Sequence, residues 1–156
     1  MQKVYLETTF IGYLTSRSSN DPFVAARQQI TQEWWDTRRS SFQLYVSKLV
    51  IDEAGAGNED AAQQRLAILN KLPLLDLSEE AVELSKDLVA DGPFPEVAKD
   101  DALHVAVATV HGMDFLLTWN CRHIANAQVA RAAAVICNAK GYGFPSICTP
   151  ELLMGE

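Results

Sequence analysis

No stretch of this chain approaches the roughly 20 consecutive apolar residues that span a bilayer, so no membrane partner is expected from its 156 residues. The amino-terminal apolar run is interrupted early by Glu7 and carries no small-residue cleavage pattern, so no export leader is expected and the cytoplasm is the expected compartment. Cysteine is scarce: Cys121, Cys137 and Cys148 are three in number and form no C-x-x-C pair. An odd, dispersed set of this kind reads as reduced thiols serving as small core residues. Basic residues are outnumbered, 13 against 20 acidic, for a net charge of −7. That balance argues against broad nonspecific affinity for nucleic acid, which depends on cationic contacts to phosphate. It leaves room for a nuclease, because metal-binding carboxylates count toward the total and a local basic rim can coexist with them. Arg38, Arg39, Lys48, Arg122 and His123 are the rim candidates, and the acidic remainder suits a basic protein partner. Internal repeats, low-complexity tracts and linkers are absent, as are a Walker-type G-x-x-x-x-G-K-[ST] loop and a G-x-G-x-x-G turn. No D-x-D-x-T nucleophile motif follows the first strand, where Glu7-Thr8-Thr9 stands instead. These absences speak against nucleotide-loop and aspartyl phosphoryl-transfer domains.

What is present is an ordinary apolar fraction of 48% and a charged fraction of 21%, suited to one domain over residues 1–156 with a continuous core. Strand-like and helix-like segments alternate. A strand near 3–7 leads into a short helix through Ile11 and Leu14, and Asp21-Pro22 starts a helix to about Arg39 by cap and first-turn proline. A strand at 42–46 follows, with Ser47 able to cap a short helix stopped at Gly55 or Gly57. Helical spacing over 59–72 ends at Pro73, Leu74-Leu75 reads as a short strand, and Ser78 opens a helix ended by Gly92-Pro93. A helix over 97–110, a strand at 115–118, a helix over 129–140 and a strand at 145–148 complete the pattern. Strands separated by helices indicate an α/β domain with a mostly parallel, short-stranded sheet.

In such a sheet the carboxyl ends of the strands share one edge, and ligands bind there. The first strand ends on Glu7 and the strand at 115–118 runs into Trp119 and Asn120. Glu53 shares an apolar helical face with Leu49 and Val50, whereas Asp52 pairs in spacing with Lys48 on a solvent-facing stripe. Asp100, Asp101 and His104 are the polar interruptions of an otherwise apolar helix. Helical neighbours Val97, Ala98 and Val105 make Asp101 the interior aspartate and Asp100 the flanking one. His104 sits one turn on; a packed, hydrogen-bonded histidine is its default reading, holding Asp101 or ligating the alternatives. Thr8 or Thr9 can cap the following helix or offer a hydroxyl, Thr118 can support Asn120, and Asn120 itself fits a turn as well as a site. Carboxylates gathered at one edge repel one another unless a cation or proton compensates them, which points to a divalent-metal site.

The order and spacing of four segments resemble the PIN-domain family, and within it VapC-like toxins of toxin–antitoxin systems. They are VYLETTFIGYL, VSKLVIDEA, AKDDALHVAVATVHGMDFLLTWNCRHIANA and PSICTPELL, placed so that the resemblance spans nearly the whole chain. The resemblance implies a three-layer α/β/α domain acting as an endoribonuclease dependent on Mg²⁺ or Mn²⁺. It places the acidic quartet on Glu7, Glu53, Asp101 and Asn120, with the metal held by Glu7, Glu53 and Asp101. Thr8, Asp100, Thr118, Arg122 and Lys48 are then supporting or substrate-binding residues. It also implies an RNA substrate, an antitoxin protein and a homodimer. Glu7 stands where the family usually has aspartate, one methylene shorter, and Asn120 where it often has aspartate, one charge poorer. Those two departures keep an alternative open, a catalytically inactive PIN-like module acting through protein or RNA partners.

Overall fold

Val4, Tyr5 and Leu6 are consecutive and all buried, so the first strand is covered on both faces. A strand buried on both faces belongs in the interior of a parallel sheet. The computed structural model describes residues 1–155 and places this strand, β1 (Lys3–Leu6), at the centre of five. β2 (Gln43–Ser47), β3 (Leu74–Leu75), β4 (Phe115–Leu117) and β5 (Ser146–Cys148) join it in the order β3-β2-β1-β4-β5. Every pairing is parallel, with Val4 opposite both Leu44 and Phe115. The sheet expected to be mostly parallel is therefore parallel throughout.

Seven helices connect the strands: α1 (Thr8–Thr15), α2 (Pro22–Arg38), α3 (Lys48–Ala54), α4 (Glu59–Leu69), α5 (Glu79–Ala90), α6 (Lys99–Val110) and α7 (Ala127–Ala139). From β1 the chain winds to β2 and β3 on one side, then crosses back to β4 and β5 on the other. Parallel crossovers are right-handed, so this reversal places the two sets of connecting helices on opposite faces of the sheet. Contacts agree with that division: α1 packs on α2, α3 and α4, whereas α5 packs on α6 and α7. The reversal lies between β1 and β4, and there the carboxyl ends leave a crevice. The geometry thus fixes Glu7 and Thr118 at the opening before any chemistry is considered.

Local signals explain most boundaries. The Asp21 carboxylate caps α2 by accepting from Phe23 N at 2.8 Å, with Pro22 in the first turn. Asn126 caps α7, which starts two residues earlier than expected, by accepting from Gln128 N and Val129 N. A 3-10 turn at Glu96–Ala98 precedes α6, so Val97 lies outside the helix and is 87% exposed. The first expected cap does not form as drawn. Glu7 itself caps α1, accepting from Thr9 N, so Thr8 and Thr9 sit inside the helix. Ser47 occupies the cap position of α3 but makes no cap bond; its hydroxyl pairs with Tyr5 instead.

One core runs through both layers. Phe10, Trp34, Phe42 and Phe115 form an aromatic chain with ring centroids 5.5 to 6.1 Å apart, and Trp34 Nε1 donates to the Leu153 carbonyl at 3.0 Å. Cys137 and Cys148 fill core positions, whereas Cys121 is exposed. Among the described residues no helix is long and apolar enough to cross a membrane. Leu116, fully buried on β4 beside β1, is the most direct probe of the sheet. Leu116→Ala is expected to cost about 2–5 kcal/mol, read as a lower urea midpoint at unchanged m-value.

Candidate functional site

Glu7 leaves β1 in extended conformation, which turns its side chain back over the start of α1. The residue as a whole is only 3% exposed. Thr9 Oγ1 donates to Glu7 Oε1 at 2.5 Å and Thr118 Oγ1 donates to the same oxygen at 2.6 Å. Each hydroxyl accepts in turn from a backbone amide, Thr9 from Trp119 N and Thr118 from Asn120 N, both at 2.9 Å. Those amides occupy the hydroxyl lone pairs and aim both protons at Glu7. Oε2 receives only the longer 3.2 Å bond from Thr9 N, so it is the less committed oxygen.

Glu53 reaches the same opening from α3. Its Oε1 accepts from Thr8 Oγ1 at 2.6 Å and lies 2.6 Å from His104 Nε2. His104 is fully buried on α6, and its Nδ1 lies 2.7 Å from the Tyr5 hydroxyl, which pairs with Ser47 Oγ at 2.8 Å. A carboxylate only accepts, so Nε2 carries the proton in this arrangement. Burial alone pushes the His104 imidazole down, but the bond to Glu53 and the fields of Glu7, Glu53 and Asp101 outweigh it and raise the pKa. For Glu53, partial burial pushes up, and the His104 bond and charge together with Thr8 bring the carboxyl below its ordinary value. The Tyr5 phenol is pushed up, chiefly by burial, so it stays a neutral hydroxyl linking His104 to Ser47.

Glu7, Glu53 and His104 each present a ligand atom, all within 4.8 Å of one another. Asp101 falls outside that trio. It is half-buried one turn before His104, and its Oδ2 lies 3.1 Å from His123 Nδ1. His104 therefore holds Glu53, not Asp101, and His123 of the expected rim takes the aspartate. The other candidates divide. Thr8 and Thr118 contact the acids directly. Asn120 commits its side-chain carbonyl to His123 N at 3.0 Å, a turn-closing role. Asp100 is exposed and lines a separate groove between α5 and α6. Lys48 and Arg122 are exposed. Arg39 borders a cavity at the amino end of β2, away from the carboxyl edge, and Arg38 lies over Phe42. Neither arginine belongs to a rim around Glu7.

Neither Tyr5 nor Ser47, the latter expected only as a helix cap, was among the expected site residues. The available signal was a tyrosine in a strand otherwise apolar on both faces, since a buried phenol needs a partner. Electrostatically the site is defined by what is not there: among the described residues no lysine or arginine pairs with Glu7, Glu53 or Asp101. A buried and a half-buried carboxylate with only histidine as a charged partner are suited to a hard divalent cation, which prefers oxygen ligands. His104 fits poorly as a ligand while Nε2–H is bonded to Glu53, because a metal needs that nitrogen unprotonated.

Comparison with known proteins places this architecture. Two solved structures share it. VapBC2 from Rickettsia felis, bound to a DNA fragment from its promoter, superposes at a TM-score of 0.59 with 13% identity, over 95% of this chain and 98% of that one. VapC20 of Mycobacterium tuberculosis, a sarcin–ricin-loop-cleaving toxin, gives 0.58 with 14% identity, over 90% of this chain and 96% of that one. No family model and no curated protein matches the sequence. At such identities the likeness establishes the fold, and the expected PIN-like α/β/α architecture is the one found.

The Glu53–His104 pair predicts two opposite pH slopes. His104, raised, contributes stability that is complete below the ordinary histidine pKa and is lost as pH rises through its folded value. Glu53, lowered, contributes stability present above the ordinary carboxylate pKa and lost as pH falls through its folded value. Urea unfolding from pH 3 to 9 is expected to show both slopes in the metal-free protein, and Glu53→Gln is expected to flatten both.

Proposed function

We propose that this chain is a metal-dependent endoribonuclease of the PIN-domain, VapC-like kind, the toxin of a toxin–antitoxin pair. The observation that carries the reading is the convergence of Glu7 and Glu53 at the sheet's switch point without a lysine or arginine counter-charge. The solved structures of the same fold, VapBC2 bound to a promoter DNA fragment and a sarcin–ricin-loop-cleaving toxin, support this reading. In this reading Mg²⁺ or Mn²⁺ is held by Glu7 and Glu53 with Asp101 completing the oxygen set. Bound there, such an ion supplies Lewis-acid activation of water and neutralises charge on the scissile phosphate.

The chain's own residues prepare that site. Thr9 and Thr118 fix the Glu7 carboxylate through one oxygen, leaving the other toward the opening. Thr8 and His104 do the same for Glu53. The Tyr5–Ser47 pair locks the imidazole from behind, so the ring cannot rotate away from Glu53. His123 orients Asp101. An antitoxin partner, a homodimer and the cytoplasm belong to the same reading, as does the exposed pair Lys48 and Arg122 as phosphate contacts. A second reading, a PIN-like module without catalysis, draws support from Asn120, whose carbonyl is occupied by His123 N.

Two measurements separate these readings. With Mg²⁺ or Mn²⁺ the wild type is expected to cleave members of a structured and single-stranded RNA panel, and EDTA to stop it. Glu53→Gln and Asp101→Asn are each expected to lose about a hundredfold or more, since metal stabilisation of the transition state amounts to several kcal/mol. Cleavage by Asp101→Ala at the wild-type rate would remove that residue from the mechanism. Mn²⁺ at about 100 times its dissociation constant is expected to stabilise the fold by about 2.7 kcal/mol, or about 5–10 °C in Tm. No thermal shift and no cleavage together would leave the non-catalytic module.

A further inference from the structure

Next to Thr9, which holds Glu7, α1 and α2 leave a crevice that the site's chemistry does not use. Its floor is Gly12. This residue lies in the interior of α1, where glycine is less stable than alanine. A Cβ at Gly12 would meet no atom within 4 Å beyond its chain neighbours and its own helix backbone, so internal packing gives no reason for the glycine. Close approach of an external group to the helix backbone does. Gly12 lines a shallow cavity of about 320 Å³ together with Thr9 and Tyr13.

A second cavity of about 350 Å³ is lined by Trp119, whose ring lies against that of Tyr13. Phe23, 78% exposed, forms one wall. Arg27 forms another; its guanidinium lies 5.0 Å from the Trp119 ring centroid and 5.8 Å from that of Tyr13. Its Nη1 also donates to the Tyr13 hydroxyl at 3.4 Å, so the plane is held at two points. Glu151 borders the same cavity. One cation and one anion cancel, so charge alone does not recruit phosphate here. What remains is a flat guanidinium and an open aromatic face, the pair of surfaces that stack an unpaired base. The crevice is wired to the acids: Trp119 N donates to Thr9 Oγ1, and that hydroxyl donates to Glu7 Oε1.

We infer that this crevice is a substrate subsite that takes one unpaired nucleobase of an RNA strand against Phe23 and Arg27, with the strand's backbone passing close over Gly12. The inference rests on the ribonuclease reading above and adds to it a requirement for single-stranded or splayed RNA at the cleavage point. A duplex keeps its bases stacked on one another and offers none to Phe23.

The test is binding in EDTA, where cleavage plays no part. Affinities of the wild type, Phe23→Ala, Phe23→Tyr and Gly12→Ala are measured for a short single-stranded RNA, a strand of equal length carrying abasic riboses, and a duplex. Phe23→Ala is expected to weaken single-strand binding about tenfold, with recovery in Phe23→Tyr and no change toward the abasic strand. Gly12→Ala is expected to raise Tm by about 2 °C, as alanine replaces glycine in a helix, while weakening the same RNA. Equal affinity of the wild type for normal and abasic strands, or unchanged RNA binding in Phe23→Ala, would overturn the base subsite and leave the crevice to a protein partner. Unchanged RNA binding in Gly12→Ala would overturn the backbone approach. Base-dependent binding without metal-dependent cleavage would sink the nuclease reading alone; cleavage with no base dependence would sink only the subsite.

Discussion

Glu7 is buried at the mouth of the sheet with no lysine or arginine beside it, and much of the surrounding structure answers that constraint. A carboxylate withdrawn from water needs donors or a counter-charge. Here the donors are hydroxyls and a backbone amide: Thr9 and Thr118 on one oxygen and Thr9 N on the other. Neutral donors steady the carboxylate without cancelling its charge. An arginine in their place would satisfy the same acid and close the opening to a cation. The arrangement keeps the charge available, and Glu53 repeats the device with Thr8, though its other donor is a histidine drawn toward protonation.

Helix α1 is where these demands meet. Its cap is Glu7, its first residue holds Glu53, its second holds Glu7, and its fifth is Gly12 at the floor of the neighbouring crevice. A short helix with four such tasks has little freedom to drift, and Phe10 and Ile11, both fully buried, pin it to the core. Across the opening, α6 is anchored by a nearly continuous buried face from Val105 to Thr109. Two rigid walls thus carry the acids, while the surface of α2 near Phe23 stays exposed. This is the division of labour expected when orientation of a few side chains matters more than their number.

How far the chain's own pattern revealed this differs from element to element. The alternation of strands and helices, the parallel sheet and the cap at Asp21 were legible because each depends on neighbours close in sequence. Asp52 as a surface residue and Asp101 as the more buried of two aspartates followed from helical spacing, although Val97, part of that argument, lies in an exposed turn before α6. Arg38 and Arg39 were assigned to a rim they do not border, because which end of a strand a residue flanks depends on strand direction in the assembled sheet. Asn120 showed both faces at once: a residue at the carboxyl edge of the sheet by position and a turn-former by its bond to His123 N.

The sequence by itself determined the alphabet of the site, since periodicity, caps and strand ends locate acids on particular faces of particular elements. It also determined the class of fold, because local hydrogen bonding and apolar spacing are properties of short windows. Only the tertiary structure decided which acids meet and what holds them. Tyr5, Ser47 and His104 lie 42 to 99 positions apart along the chain, yet form one hydrogen-bonded line. Such contacts arise from the order β3-β2-β1-β4-β5, and a hydrogen bond is sensitive to tenths of an ångström that no residue spacing encodes.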